Sequence, residues 1–190
     1  MHNTIDPSRT QGPHAGAEVQ AFDEITPRPL GLSRREPVIE ALNPVLADLL
    51  TLRDLHKKHH WQVSGPEFLE LHRLFDEHHD RLSELIDEVG ERIRILGGIG
   101  IAMGADAAEL TRIPRPPRGR ESTCGQIRRL VQGHEVLLKG VREAAMVADR
   151  SGDLGTNDLL VSGVLRTSEM QVWFLAEHLG EGLSGQSIRD

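Results

Sequence analysis

His60, His72, Asp76, Asp87 and Glu91 place two imidazoles and three carboxylates within one short stretch of the chain. The last four are symmetrically spaced. The outer pair (72 and 91) and the inner pair (76 and 87) share one midpoint, between residues 81 and 82. On a helix, the eleven residues from Asp76 to Asp87 correspond to about 16 Å along the axis. A single ion with ligand bonds near ~2 Å cannot take both. Two identical helices running antiparallel about a twofold axis at that midpoint set Asp76 against Asp87 of the partner subunit. The same register sets His72 against Glu91 of the partner subunit. The spacing therefore predicts a metal site shared between two subunits, repeated twice per dimer as a self-complementary interface requires. Mixed imidazole and carboxylate ligands suit iron, zinc or manganese better than calcium.

The elements that must position these residues are helices. Only 3% of the 190 residues are aromatic and there is no Tyr, a composition that leans away from strands. Ser33-Arg34-Arg35-Glu36 has the form of a capping box. Val38, Leu42, Val45, Leu49 and Leu52 follow at helical spacing, and this first helix ends near Ser64-Gly65. Pro44 either kinks it or marks its start with Asn43 as cap, and the earlier apolar stripe favours the kink. A second helix begins with Pro66 in its first position and runs to Leu96, where Gly97-Gly98 stops it. Its apolar stripe is Leu71, Leu74, Phe75, Leu82, Leu85, Ile86, Val89, Ile93 and Leu96. Residues 99–120 form a long connection with a short helix near Asp106–Leu110. Thr123 with Gln126 caps a third long helix reaching about Arg150, and a fourth runs from about Thr156 to Leu179. The expected class is all-α: a four-helix bundle with one crossover. Residues 1–32, with Pro7, Pro13, Pro27 and Pro29, read as a flexible tail, 33–180 as the domain, and 181–190 as a short C-terminal tail.

On the second helix His72, Asp76, His79, Ser83 and Asp87 form a narrow polar stripe beside the apolar face, with Glu91 at its edge. His60, at the end of the first helix, lies about as far before the turn as His72 lies after it, so a hairpin brings the two rings together. His79 is a candidate extra ligand or a surface residue, with His78 beside it. His56 and His59 read as helix-surface or supporting residues, and His134 and His178 as isolated structural ones.

The run His60-Trp61-Gln62-Val63-Ser64-Gly65-Pro66, then Phe68, His72, Phe75-Asp76, Asp87, Glu91-Arg92 and Leu96-Gly97-Gly98, resembles the Dps family, the mini-ferritins named as DNA-binding proteins from starved cells. The resemblance covers roughly residues 36–180 and leaves out the N-terminal tail. It implies a ferritin-like bundle with a short helix in the middle connection, twelve copies of which form a hollow shell. It also implies that His60, His72 and Asp76, with Asp87 and Glu91 of the partner subunit, are ferroxidase ligands. Fe(II) would be oxidised, preferably by hydrogen peroxide, and stored as ferric mineral, with zinc or manganese as other candidate occupants. No Glu lies three residues before a His, which disfavours the ordinary ferritin pattern within one bundle. By the same resemblance Asp149 and Asp158 are candidates for lining a pore that admits iron, with helix capping near Thr156 as the alternative. Trp61, beside His60, is a candidate to quench stray oxidising equivalents or to pack at the dimer interface.

Charge bears on partners. The net charge of −7 and a pI near 5.8 argue against a basic surface that would hold nucleic acid throughout. Residues 1–36 carry Arg9, Arg28, Arg34 and Arg35 against Asp6, Glu18, Asp23, Glu24 and Glu36, with no Lys. Phosphate binding needs clustered cations, so the tail departs from the Lys-rich tails of DNA-binding family members. Arg115, Arg118 and Arg120, with Arg128 and Arg129, are a possible substitute or a solvated loop paired with acidic neighbours. A single Cys124 forbids an intrachain disulfide. No apolar run approaches the ~20 residues of a membrane span and no signal peptide is visible, so a cytoplasmic protein is expected.

Overall fold

Helix α1 (Glu36–Gln62) and helix α2 (Phe68–Ile95) form an antiparallel hairpin in the computed structural model, which describes residues 30–32 and 34–180. A short helix α3 (Gly104–Leu110) sits in the connection, and α4 (Thr123–Arg150) follows. The fourth long helix is built in three consecutive pieces: α5 (Leu154–Asp158), a wide π-type stretch (Leu159–Leu165) and α6 (Arg166–Glu177). Among the described residues there is no strand. The all-α bundle with a crossover and a short middle helix is thus the observed architecture. The tail readings for 1–29 and 181–190, and the Ser33 cap, fall outside the described residues.

Each long helix buries one apolar stripe. Leu42, Val45, Leu49 and Leu52 of α1 meet Leu71, Phe75, Leu82, Leu85, Val89 and Ile93 of α2 and Ile127, Leu130, Leu137 and Val141 of α4 in a single core. Burial of such side chains contributes about 1.5–3 kcal/mol each before the entropy of ordering is subtracted. Leu74 and Ile86 lie at the margin of the stripe rather than in it. A core polar residue, His78, occupies the stripe between Phe75 and Leu82.

Several ends differ from the sequence expectation. Helix α1 passes through Pro44, so Asn43 is not its cap. The Asn43 side chain instead pins the crossover, donating to the Ile99 carbonyl (3.1 Å) and accepting from the Ile101 N–H (3.0 Å). Pro66 belongs to the turn, because the Phe68 N–H closes on the Gly65 carbonyl before α2 begins. Gly65 adopts φ 108°, which only glycine takes without strain. The cap of α4 is Ser122, whose hydroxyl accepts from the Gly125 N–H. Thr123 is freed to donate to the Ser64 carbonyl, tying α4 to the hairpin turn. At the end of α2 the Gly98 N–H reaches the Ile93 carbonyl (2.9 Å), the expected glycine stop.

The wide stretch in the fourth helix has a reason in the spacing of its buried residues. Thr156, Leu160, Val164 and Ser168 recur every four positions. In a regular α-helix each such step drifts about 40° ahead of the last, so the face would turn away from the core. Longer i→i+5 turns absorb the drift. Gln171 and Leu175 then continue on the same buried face.

One buried ion pair locks the crossover. Asp48 is fully buried, and its carboxylate accepts from the Thr111 hydroxyl (3.0 Å), the Arg112 N–H (2.8 Å) and the Arg112 guanidinium (3.0 and 2.5 Å). The guanidinium crosses α4 at Gly140, where a Cβ would collide with it. Gly140→Ala gains about 1 kcal/mol of helix propensity. It also displaces the partner of a buried charge, a loss of up to about 3–5 kcal/mol. We expect net destabilisation of about 1–3 kcal/mol, read as a lower urea midpoint, and a much smaller effect when Arg112→Met is already present.

Candidate metal centre

The hairpin turn brings the end of α1 over the start of α2, and this sets the first part of the site. His60 Nδ1 lies 2.8 Å from the His72 carbonyl oxygen, and His72 Nδ1 lies 2.9 Å from the His60 carbonyl oxygen. The rings stack with centroids 3.7 Å apart and planes 20° from parallel. A carbonyl only accepts, so both Nδ1 atoms carry the proton and donate. Each Nε2 then keeps its lone pair, the state in which imidazole binds a metal. Phe68 leans against the His72 ring at 5.1 Å.

One helical turn past His72, the Asp76 carboxylate lies 3.7 Å from His60 Nδ1. It forms an ion pair with the Lys57 ammonium of α1. That hydrogen bond, with the nearby His60, holds the Asp76 carboxyl below its usual range. Asp76, His79 and Asp80 also bring three ligand atoms within 4.8 Å of one another, and His79 Nδ1 sits 2.9 Å from Asp80. His79 therefore lies beside Asp76, together with an Asp80 that the ligand stripe did not include.

Asp87 and Glu91 stand apart from these three. Both are exposed on the same helix, about three to four turns beyond Asp76, at a shallow depression also lined by Leu46, Leu50 and Ile86. Within one subunit His60, His72 and Asp76 converge and Asp87 and Glu91 do not. Asp76 and Asp87 are thus too far apart along α2 to hold one ion within a subunit.

Trp61 is 74% exposed beside His60, open to solvent or to a neighbouring subunit. Asp149 and Asp158 are both exposed, on either side of the turn into α5. Asp158 accepts from Ser162 (2.8 Å), whereas the cap of α5 is Asp153, which accepts from the Thr156 N–H and from Arg92. In the basic connection, Arg129 is paired two-pronged with Glu121, and Arg120 reaches Ser64. Those two are neutralised locally or tied down, as for a solvated loop.

Four histidines are placed differently from expectation. His56 and His59 are fully buried rather than on the helix surface, and His78 is buried too. His134 is not isolated: its Nε2 lies 3.2 Å from His56 Nε2 and its Nδ1 lies 2.6 Å from the Ser168 hydroxyl. Burial pushes His59 and His78 down to about 4 and His134 to about 3, and burial with neighbouring His134 pushes His56 well down. The signal lies in the spacing. His56, His78 and His134 each fill a core position of a 3-4 stripe: Leu52-His56-His59, Phe75-His78-Leu82 and Leu130-His134-Leu137. His178 lies 3.4 Å from Glu67.

Comparison with known proteins agrees with this geometry. The Ferritin family, described as a ferritin-like domain, matches residues 39–183. The solved structure of DpsC from Streptomyces coelicolor is 44% identical, with a TM-score of 0.82 over 85% of this chain and 95% of that one. The Dps protein from Vibrio cholerae O1, described as a member of a broad superfamily of ferritin-like diiron-carboxylate proteins, is 30% identical with a TM-score of 0.72, covering 76% and 90% of the two chains. "DNA protection during starvation protein 2" of Bacillus anthracis is 32% identical over 144 residues, 76% of this chain and 97% of that protein. The residues of the hairpin, the bundle that carries them and these relatives together place the chain in the Dps family of ferritin-like proteins.

Proposed function

We propose that the protein is a ferroxidase and iron store, working as a dodecameric shell with its catalytic sites at twofold dimer interfaces. The observation that carries this reading is the division of ligands. His60, His72 and Asp76 converge on one subunit, and Asp87 and Glu91 are left exposed for a second copy. Fe(II) is the substrate. His60 and His72 offer Nε2 lone pairs fixed by their Nδ1–H donors, and the carboxylates offset the added charge of the ferric product. Two Fe(II) each give one electron to one hydrogen peroxide. Its O–O bond breaks to two hydroxides, and no hydroxyl radical is released. Exposed Asp149 and Asp158 serve as acidic residues of the entry pore, drawing cations by their field. Trp61, exposed at the site, is placed to take up stray oxidising equivalents. His79 and Asp80 extend the ligand field beside Asp76. Iron is preferred over zinc as the turning-over metal because the reaction needs a redox couple, which zinc lacks.

A second reading, protection by physical DNA binding, is favoured by relatives named for DNA protection or DNA binding. The unclustered charge of residues 1–36 and the local pairing of Arg129 speak against it.

Two measurements test these readings. Asp87→Ala/Glu91→Ala is expected to slow peroxide-driven Fe(II) oxidation by more than about tenfold, since even a supporting group at a metal site is worth that much. The shell should remain assembled by light scattering, and unchanged kinetics would remove the site assignment. In a gel-shift titration the intact shell should not retard duplex DNA at physiological salt. Strong retardation that falls steeply with added salt would restore the DNA-binding reading.

A further inference from the structure

The bundle interior holds a polar layer that the iron site does not use. His56 of α1, His78 of α2, His134 of α4 and the Ser168–Gln171 pair of α6 meet there, each from a different long helix, and all of them are at least 95% buried. No carboxylate is among the buried residues facing this layer: the buried acids are Asp48 and Asp153, which are held by Arg112 and Arg92.

Two features of the layer point to a ligand. The first is distance. Two imidazole nitrogens bound to one tetrahedral ion by bonds of ~2.05 Å lie about 3.3 Å apart, and His56 Nε2 and His134 Nε2 are 3.2 Å apart. The Ser168 hydroxyl lies 2.6 Å from His134 Nδ1, and in the tautomer that donates Nδ1–H to it, Nε2 keeps its lone pair for a metal. The second is dissatisfaction. A simple hydrogen bond between the two rings accounts for the 3.2 Å, but it leaves His56 Nδ1, both nitrogens of His78 and Gln171 Oε1 buried without a protein partner among the described residues. Such groups carry a desolvation penalty with nothing in return. An ion held by His56 and His134 would give one unpartnered nitrogen of His78 a partner, and imidazoles without carboxylates suit a nitrogen-preferring cation.

We infer that His56 and His134 bind a late first-row transition ion, of the Zn(II)–Cu class, in the bundle core, with His78 as third ligand. His78 stands edge-on to His56 with centroids 5.2 Å apart. It is not yet within ligand distance, so it must turn about its side-chain torsions to close the set. Phe174 stacks on its ring with centroids 6.4 Å apart. All-nitrogen ligation selects against Mg(II), Ca(II) and Mn(II), and places Fe(II) below Zn(II) and Cu. The core site is therefore distinct in metal preference from the carboxylate-bearing interface.

The test uses Co(II) as a spectroscopic substitute for Zn(II). The full-length shell carrying Asp76→Ala, Asp80→Ala, Asp87→Ala and Glu91→Ala, which removes the interface carboxylates, is produced with Co(II) present. One Co(II) per chain with the visible bands of a four-coordinate site of three nitrogens and one oxygen donor is the expected result. Adding His56→Leu/His134→Leu should abolish the bands, and adding Ser168→Ala should weaken binding by about 10–100-fold, as for loss of an orienting partner. The two leucines replace a buried polar pair by apolar groups, and shell assembly by light scattering confirms that they fold. If folding fails, the milder His78→Gln serves, and should shift the bands and lower affinity. Absence of bands from the assembled carboxylate-free shell, bands that survive His56→Leu/His134→Leu, or an ordered water in the layer without a metal, would each overturn the inference. With the interface ligands restored, His56→Leu/His134→Leu should oxidise Fe(II) at the unmodified rate, so that failure here is separate from failure of the ferroxidase reading.

Discussion

The packing of α1 against α2 is the constraint from which the rest follows. Their two apolar stripes interlock in a single register, and the Gly65 turn closes only in that register. The register decides that the last turn of α1 lies over the first turn of α2. It places His60 opposite His72 closely enough for each ring to donate to the other's carbonyl. The His60 carbonyl belongs to the last turn of α1, where backbone acceptors have no partner within the helix, whereas the His72 carbonyl lies inside α2 and accepts the ring proton as a second bond. The hairpin thus fixes the orientation of both rings through backbone acceptors.

The remaining elements brace this hairpin. Thr123 anchors α4 to the turn, Asn43 holds the start of the crossover and the Asp48–Arg112 pair holds its end. Arg92, next in sequence to Glu91, bridges from α2 to Asp153 and Thr156 at the turn into α5. Glu91 is therefore carried on a helix end that is itself tethered.

Much of this architecture is legible in residue spacing alone. Helix number and the glycine stop at Gly97-Gly98 both follow from it, because 3.6-residue periodicity and a fixed rise convert sequence distance into geometry. Caps are harder to read. Ser122 and Thr123 are adjacent residues of like chemistry, and which one caps depends on whether the other has a tertiary acceptor, here the Ser64 carbonyl. Asn43 before Pro44 looks like a helix start because local propensity cannot see the crossover that Asn43 holds. The buried histidines escape notice for a different reason. A polarity scale counts His56, His78 and His134 as breaks in an apolar stripe, whereas their positions in the 3-4 pattern make them members of it.

The wide stretch at Leu159–Leu165 carries a consequence for sequence length. Helices normally cannot absorb a single inserted or deleted residue, because every later side chain would rotate by about 100°. Here the fourth helix already holds the equivalent of one surplus residue, taken up in its longer turns. A chain one residue shorter in this segment would relax to regular α geometry, with Ser168 and Gln171 still facing His134 and His78. The segment is thus a tolerance joint: length variation between sequences of this fold can collect there without disturbing either end of the helix.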